Sequence, residues 1–211
     1  MLTWLNQASR GDGGCIFAHD PNATVVPELA LWLPEATPAV VILETAPPEF
    51  SIATAIDTTA LGSKVVDPGS RERRELLIAG EPGDLQVEWR DDQAVRRPAI
   101  LLPLDALFTL RLDVASRFVR RLRGERIGLL PASLRLTSLQ KSRLIQLLHA
   151  FDIHDAGGGP RDVAAEVLIS KQARLPSIEW KDSHARRKAN RLIHDSIALV
   201  ERGYLKLLRG G

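Results

Sequence analysis

The sequence predicts an α+β protein: a small antiparallel β-region in the N-terminal half, followed by an all-α C-terminal domain. Three observations carry that class. Short apolar or alternating runs separated by Pro- and Gly-rich breaks occupy residues 35–102. After Pro103 the apolar period lengthens from two residues to three and four. The charge also changes sign along the chain: residues 1–110 carry 8 Lys+Arg against 16 Asp+Glu, residues 111–211 carry 20 against 10. The expected division is a β-rich region over 1–103, with an oligomerising or modulating role, and a helical domain over 104–211.

The strands come first. Ala39–Thr45 (AVVILET), Arg74–Gly80 (RELLIAG) and Asp84–Arg90 (DLQVEWR) are the strand candidates, with Arg96–Pro103 (RRPAILLP) as a further one. Pro47-Pro48, Asp67-Pro68-Gly69 and Glu81-Pro82-Gly83 lie between them, and Gly80–Asp84 reads as a hairpin loop. Leu85, Val87 and Trp89 alternate with Gln86 and Glu88, the period of a strand buried on one face. Arg71–Glu75 (RERRE) alternates in sign and reads as a solvated loop. The first 30 or so residues show no usable periodicity.

Leu107, Leu110, Val114, Phe118 and Leu122 then mark a helix that ends at Gly124. Arg117, Arg120, Arg121 and Arg123 load its last turns, where cations suit the negative end of the helix dipole. Residues 124–135 read as a linker. Thr137 and Gln140 have the spacing of a capping box, opening a helix with an apolar stripe of Leu144, Ile145, Leu147, Leu148 and Phe151. The triple glycine 157–159 stops it, and Pro160 opens a shorter helix, PRDVAAEVLIS. Trp180 reads as an aromatic packed against the next helix.

The closing segment, Ser183–Gly211, repeats Ala189, Leu192, Ile193, Ile197, Val200, Tyr204, Leu207 and Leu208 at three and four residues, a buried stripe. Asp182 or Ser183 is placed to cap it. Arg186, Asn190 and His194 step by four on another face, with Arg187 and Arg191 beside them. Guanidinium can fork onto guanine, asparagine onto adenine, and any cation onto phosphate. A capped helix, a glycine turn, a short helix and a basic helix in that order give a helix-turn-helix-like arrangement. These features point to double-stranded DNA, with Arg186, Arg187, Asn190 and Arg191 toward the major groove. Lys181, Lys188 and Arg161 would hold phosphates. A basic amphipathic helix also suits RNA or an acidic protein.

Other chemistry is weakly represented. His149, Asp152, His154 and Asp155 could hold zinc by type, but no second set of matching ligands lies nearby, so no metal is expected. Cys15 is the one cysteine, near His19, and no motif orients it as a nucleophile. It cannot form an internal disulfide, which fits a reduced cytoplasmic protein. Phosphate loops, dinucleotide fingerprints and nucleophile elbows are missing, so the expectation is a non-enzyme without cofactor. No apolar run is long enough for a membrane span, and no secretory signal stands at the N-terminus.

The stretches LQKSRLIQLLHAFD, PRDVAAEVL, Trp180-Lys181 and RKANRLIHDSIALVERGYLKLLRG resemble the RovC-like DNA-binding domain family, named after a transcription factor for type VI secretion genes. The resemblance runs from about Leu104 to Arg209. The chain departs from the family pattern in two turns, DIHDAGGGP and Arg202-Gly203-Tyr204. The resemblance implies a bacterial regulator bound to promoter DNA. Relatives also include antiactivators, which implies as the alternative a module that binds and blocks another regulator protein without binding DNA. A reading head this small calls for two or more copies, hence a homo-oligomer.

Overall fold

The computed structural model describes residues 31–50, 54–57, 63–66, 74–78, 83–91 and 93–211. The N-terminal segment with Cys15 and His19, the turn at 67–69 and most of the RERRE stretch lie outside the described residues. Five strands form one sheet: β1 (Val40–Thr45), β2 (Ser63–Val66), β3 (Arg74–Ile78), β4 (Leu85–Trp89) and β5 (Pro98–Leu101), in the spatial order β2-β3-β4-β1-β5. The α+β class is as expected. Pairing is antiparallel for β2 with β3, β3 with β4 and β1 with β5. The central pair, β1 with β4, is parallel, matching Val41 to Val87 and Leu43 to Trp89, so the sheet is mixed. A parallel pair needs a long connection, and residues 46–84 supply one that also contributes two strands. The short run SKVV gave no separate strand signal.

One sheet face carries the core. Val41, Leu43, Leu76, Ile78, Leu85, Val87 and Trp89 pack with Val114 and Phe118 of helix α1 (Phe108–Leu122). Burying Phe118 alone stabilises by about 1.5–3 kcal/mol. The opposite face is covered too, which corrects the expectation of a strand buried on one side. Glu75 and Glu88 sit directly across from each other on β3 and β4, at 3% and 1% exposure. Polar groups reach such burial when partners meet them. The Gln86 amide donates to Glu75 (3.0 Å) and to the Trp32 carbonyl (2.9 Å), and Arg90 pairs with Glu88 at 3.4 Å. Glu75 is therefore a strand residue and not part of a solvated loop.

At the far end of β1, the Thr45 hydroxyl and N–H both donate to the Asp91 carboxylate. Those hydrogen bonds, the hydroxyl foremost, hold the Asp91 carboxyl below its ordinary range.

The arginines of α1 do more than meet a dipole. Arg111 is buried; Nε and Nη2 donate to Asp105 (3.1 and 3.0 Å), and Nη1 donates to the Pro34 carbonyl at 3.1 Å. Arg117, expected at the solvated end of the helix, is buried as well. Its Nε donates to the Gly128 carbonyl at 3.0 Å, while both terminal nitrogens lack partners among the described residues. Burial pushes its pKa down. Gly124 at φ +68 closes the helix.

The chain forms two compact units. One holds the sheet, α1 and the loop to Arg135, together with Leu207–Gly211; the other is Leu136–Lys206. This contact boundary lies some thirty residues beyond the change of sequence period at Pro103. The cause is visible in the packing: α1 has the apolar spacing of a helix, and that stripe is spent on the sheet.

Candidate nucleic-acid interface

The Leu136–Lys206 unit is built around helix α5 (His184–Ala198), supported by α2 (Ser138–Asp155) and α3 (Pro160–Glu166). Helix α2 starts where its sequence says it should. The Thr137 hydroxyl accepts from the Gln140 N–H (3.2 Å), and the Gln140 side chain accepts from the Thr137 N–H (2.8 Å). Its expected stripe is only half used: Leu147 is buried and Leu144 partly so, whereas Ile145 and Leu148 are exposed. One small residue explains the rotation, since fully buried Ala150 lets α2 lie close on the core.

Gly157 takes φ +87, and a Cβ on Gly158 would stand 2.6 Å from the Ile153 side chain, so both positions of the turn demand glycine. Asp162 then caps the start of α3 by accepting from the Gly159 N–H at 2.7 Å. Helix α3 is shorter than its sequence stripe and stops at Glu166.

Between α3 and α5 lie two pieces, a 3₁₀ turn at Lys171–Arg174 and the short helix α4 (Ser177–Asp182). Trp180 of α4 is buried in the core with Ala173, Ala185 and Ala189, as its packing reading required. Ser183 is the cap of α5, its hydroxyl accepting from the Arg186 N–H at 3.1 Å. Ala185, Ala189, Leu192, Ile193 and Ser196 are the buried side of α5. Arg187, Lys188, Asn190, Arg191 and His194 are on its exposed side. The sequence stripe runs on in one helix. The structure instead inserts a π-helical turn, Leu199–Gly203, before α6 (Tyr204–Leu208). The wider turn shifts the register of the apolar face there.

The residues nominated for DNA are brought together around the α4–α5 junction, with one exception. Lys181 is exposed on α4. Arg186 is half-buried and donates to the Lys181 carbonyl (3.0 Å); Arg187 donates to the Asp182 carbonyl (3.1 Å). Both guanidiniums thus lean on the carbonyls that end α4, which orients them without neutralising them. Among the described residues, no ion pair ties Lys181, Arg186, Arg187, Lys188 or Arg191 to a carboxylate. The positive end of the α5 dipole adds to the same field.

The exception is Arg161. Its Nη2 donates to the Leu175 carbonyl at 3.2 Å, and its guanidinium lies 5.2 Å from the centroid of the Trp180 ring. Half-buried on α3, it clamps the α3–α4 connection and presents less of its charge outward.

Three residues of the site were not nominated from sequence. Lys171 and Arg174 are exposed on the 3₁₀ turn, and Gln172 between them accepts from the Ala185 N–H at 3.0 Å. That bond docks the turn onto the first turn of α5. The available signal was Ser170, whose hydroxyl caps the turn by accepting from the Gln172 N–H (3.3 Å). Across the unit, Arg143 of α2 pairs with Asp195 of α5 at 2.9 Å.

Among the described residues no cluster of three or more His, Cys, Asp or Glu side chains could hold a metal ion. No helix there is long and apolar enough to cross a membrane. Residues 101–209 match the family model described as the type VI secretion system transcription factor, DNA-binding domain. Residues 39–100 match a second model, described as a domain of unknown function (DUF7012). No curated protein and no solved structure matches the chain.

Proposed function

The chain belongs to the family of the RovC DNA-binding domain of type VI secretion transcription factors, and from that premise we propose that it is a regulator that binds promoter DNA through the start of α5. The observation that carries this reading is the cluster Lys181, Arg187, Lys188 and Arg191. These cations are exposed on two consecutive helices, fixed in place by the packing of Trp180 and Ala185 beneath them, and unspent on any carboxylate of the described residues. On α5 itself no acidic residue precedes Asp195, whereas a surface meant only for solubility would mix its signs.

Division of labour follows from side-chain geometry. Arg187, Asn190 and Arg191 lie on the exposed face within little more than one turn, the reach of a recognition helix into the major groove. Arg186, held against the Lys181 carbonyl, orients the start of that helix and stands close enough to join it. Lys181 and Lys188, with Lys171 and Arg174, suit phosphates as point charges. Arg161 serves as a clamp of the α3–α4 connection instead. A homo-oligomer on a repeated half-site would supply the affinity that one such unit lacks.

Footprinting the purified chain on the DNA upstream of its own coding region tests the proposal. The expected result is a protected stretch lost at raised salt. Tight binding to another regulator protein, with no protection on any duplex, would establish the antiactivator reading in its place.

A further inference from the structure

One residue of the reading unit is both strained and unrewarded. Ile169, which follows α3, lies in the left-handed region at φ +48, the one non-glycine residue there among the described residues. A β-branched side chain is poorly tolerated in that region, and glycine would enter it freely. The backbone is held there from both sides. The Leu168 N–H donates to the Val163 carbonyl (3.2 Å) and the Ser170 N–H to the Ala164 carbonyl (2.9 Å).

Burial does not repay the strain, since Ile169 is 83% exposed. A single exposed isoleucine is ordinary. An exposed isoleucine where the backbone asks for glycine is an outlier, and outliers of this kind gather at functional sites. Its surroundings say what it would meet. Ile169 opens the segment that carries exposed Lys171 and Arg174, and Gln172 of that segment is bonded to the first turn of α5. Ile178, 82% exposed on the first turn of α4, adds a second apolar group to the same connection.

An apolar side chain on a rigid, cation-flanked turn beside the reading helix fits the one apolar feature of the major groove, the 5-methyl of thymine. Resting on the DNA reading above, we propose that Ile169 is a specificity-determining residue that contacts a thymine methyl next to the bases met by α5.

The test uses the full chain and three duplexes: the footprinted fragment, the same fragment with deoxyuridine for thymine in the protected stretch, and an unrelated sequence. The unaltered chain is expected to prefer the thymine fragment about fivefold or more. Ile169→Gly should erase that preference while keeping affinity for the other two duplexes, the salt dependence and a melting temperature as high or higher. A melting temperature that is kept in the variant rules out misfolding as the cause of such a loss. A preference that survives in Ile169→Gly, or that the unaltered chain lacks, overturns the assignment and leaves the DNA reading standing. Failure of the unaltered chain to bind any duplex would end both.

Discussion

Four arginines of the sheet-bearing unit and a cluster of cations in the other are spent differently. In the sheet-bearing unit, Arg111 forks onto Asp105 and a backbone carbonyl, Arg90 bridges Glu44 and Glu88, Arg97 donates to the Ala46 carbonyl, and Arg117 is sealed over Gly128. These cations are structural. In the Leu136–Lys206 unit, Lys171, Arg174, Lys181, Arg187, Lys188 and Arg191 are exposed and meet no carboxylate of the described residues. The contrast shows why net charge by halves is a blunt guide. Residues 111–135 hold 7 Lys+Arg against 2 Asp+Glu, yet they belong to the sheet-bearing unit. What marks an anion-binding face is unspent charge on a rigid support.

The largest expected effect separates the two kinds of arginine outright. Replacing Arg187 and Arg191 together by alanine should weaken DNA binding about a hundredfold or more at low salt, at about 1–3 kcal/mol per reading side chain. Thermal stability should stay as it was, because the buried stripe of α5 is untouched. A drop in stability matching the loss of binding would show that these side chains hold the fold and do not read DNA.

Arg161→Ala probes the exception within the reading unit. Losing the contact with the Trp180 ring and the bond to Leu175 should destabilise the fold by about 1–3 kcal/mol. The salt dependence of DNA binding should be unchanged, since a clamp releases no counterion. A shallower salt dependence without loss of stability would return Arg161 to the phosphate contacts.

Arg117→Met tests the opposite case. Two buried nitrogens without partners are a cost, and a side chain of similar length without charge removes it. Denaturant unfolding should show stability unchanged or raised, with DNA binding the same. A large loss would mean that those nitrogens meet a group essential to the fold.

The smallest effect is one of pH. Hydrogen bonds from Arg111 hold the Asp105 carboxyl below its ordinary value. A carboxyl lowered in the folded state stabilises above its unfolded-state value of about 4, and that stability goes as pH falls through the lowered folded value. Arg111→Met should therefore lose stability at neutral pH and show a flatter acid-side decline. Solvent at half-exposed Asp105 keeps the change modest. An unchanged acid profile would remove Asp105 as a contributor.

Local signals read well from sequence where the cause is local. The capping box at Thr137, the stop at Gly124 and the strand at β4 each depend on a few adjacent residues, and each holds in the structure, although β4 is buried on both faces. The parallel register of β1 with β4 does not depend on neighbours, because partners forty-odd residues apart decide it. The same is true of Glu75 and Glu88, polar by type yet buried across from each other, where Gln86 and Arg90 meet them. Within the site, the exposed face of α5 follows from helical period alone. Lys171 and Arg174 stayed hidden because their place beside α5 depends on tertiary contacts of their turn, the burial of Ala173 and the Ala185 N–H donating to Gln172.

The most direct test is the salt dependence of affinity for the footprinted DNA, measured for the unaltered chain and for the double variant of Arg187 and Arg191. Each phosphate contact contributes about 0.9 to the slope of log affinity against log salt. The account predicts a steep negative slope that becomes shallower in the variant, together with a lower affinity at every salt concentration. A slope near zero in the unaltered chain, or the same slope and affinity in both proteins, would contradict it.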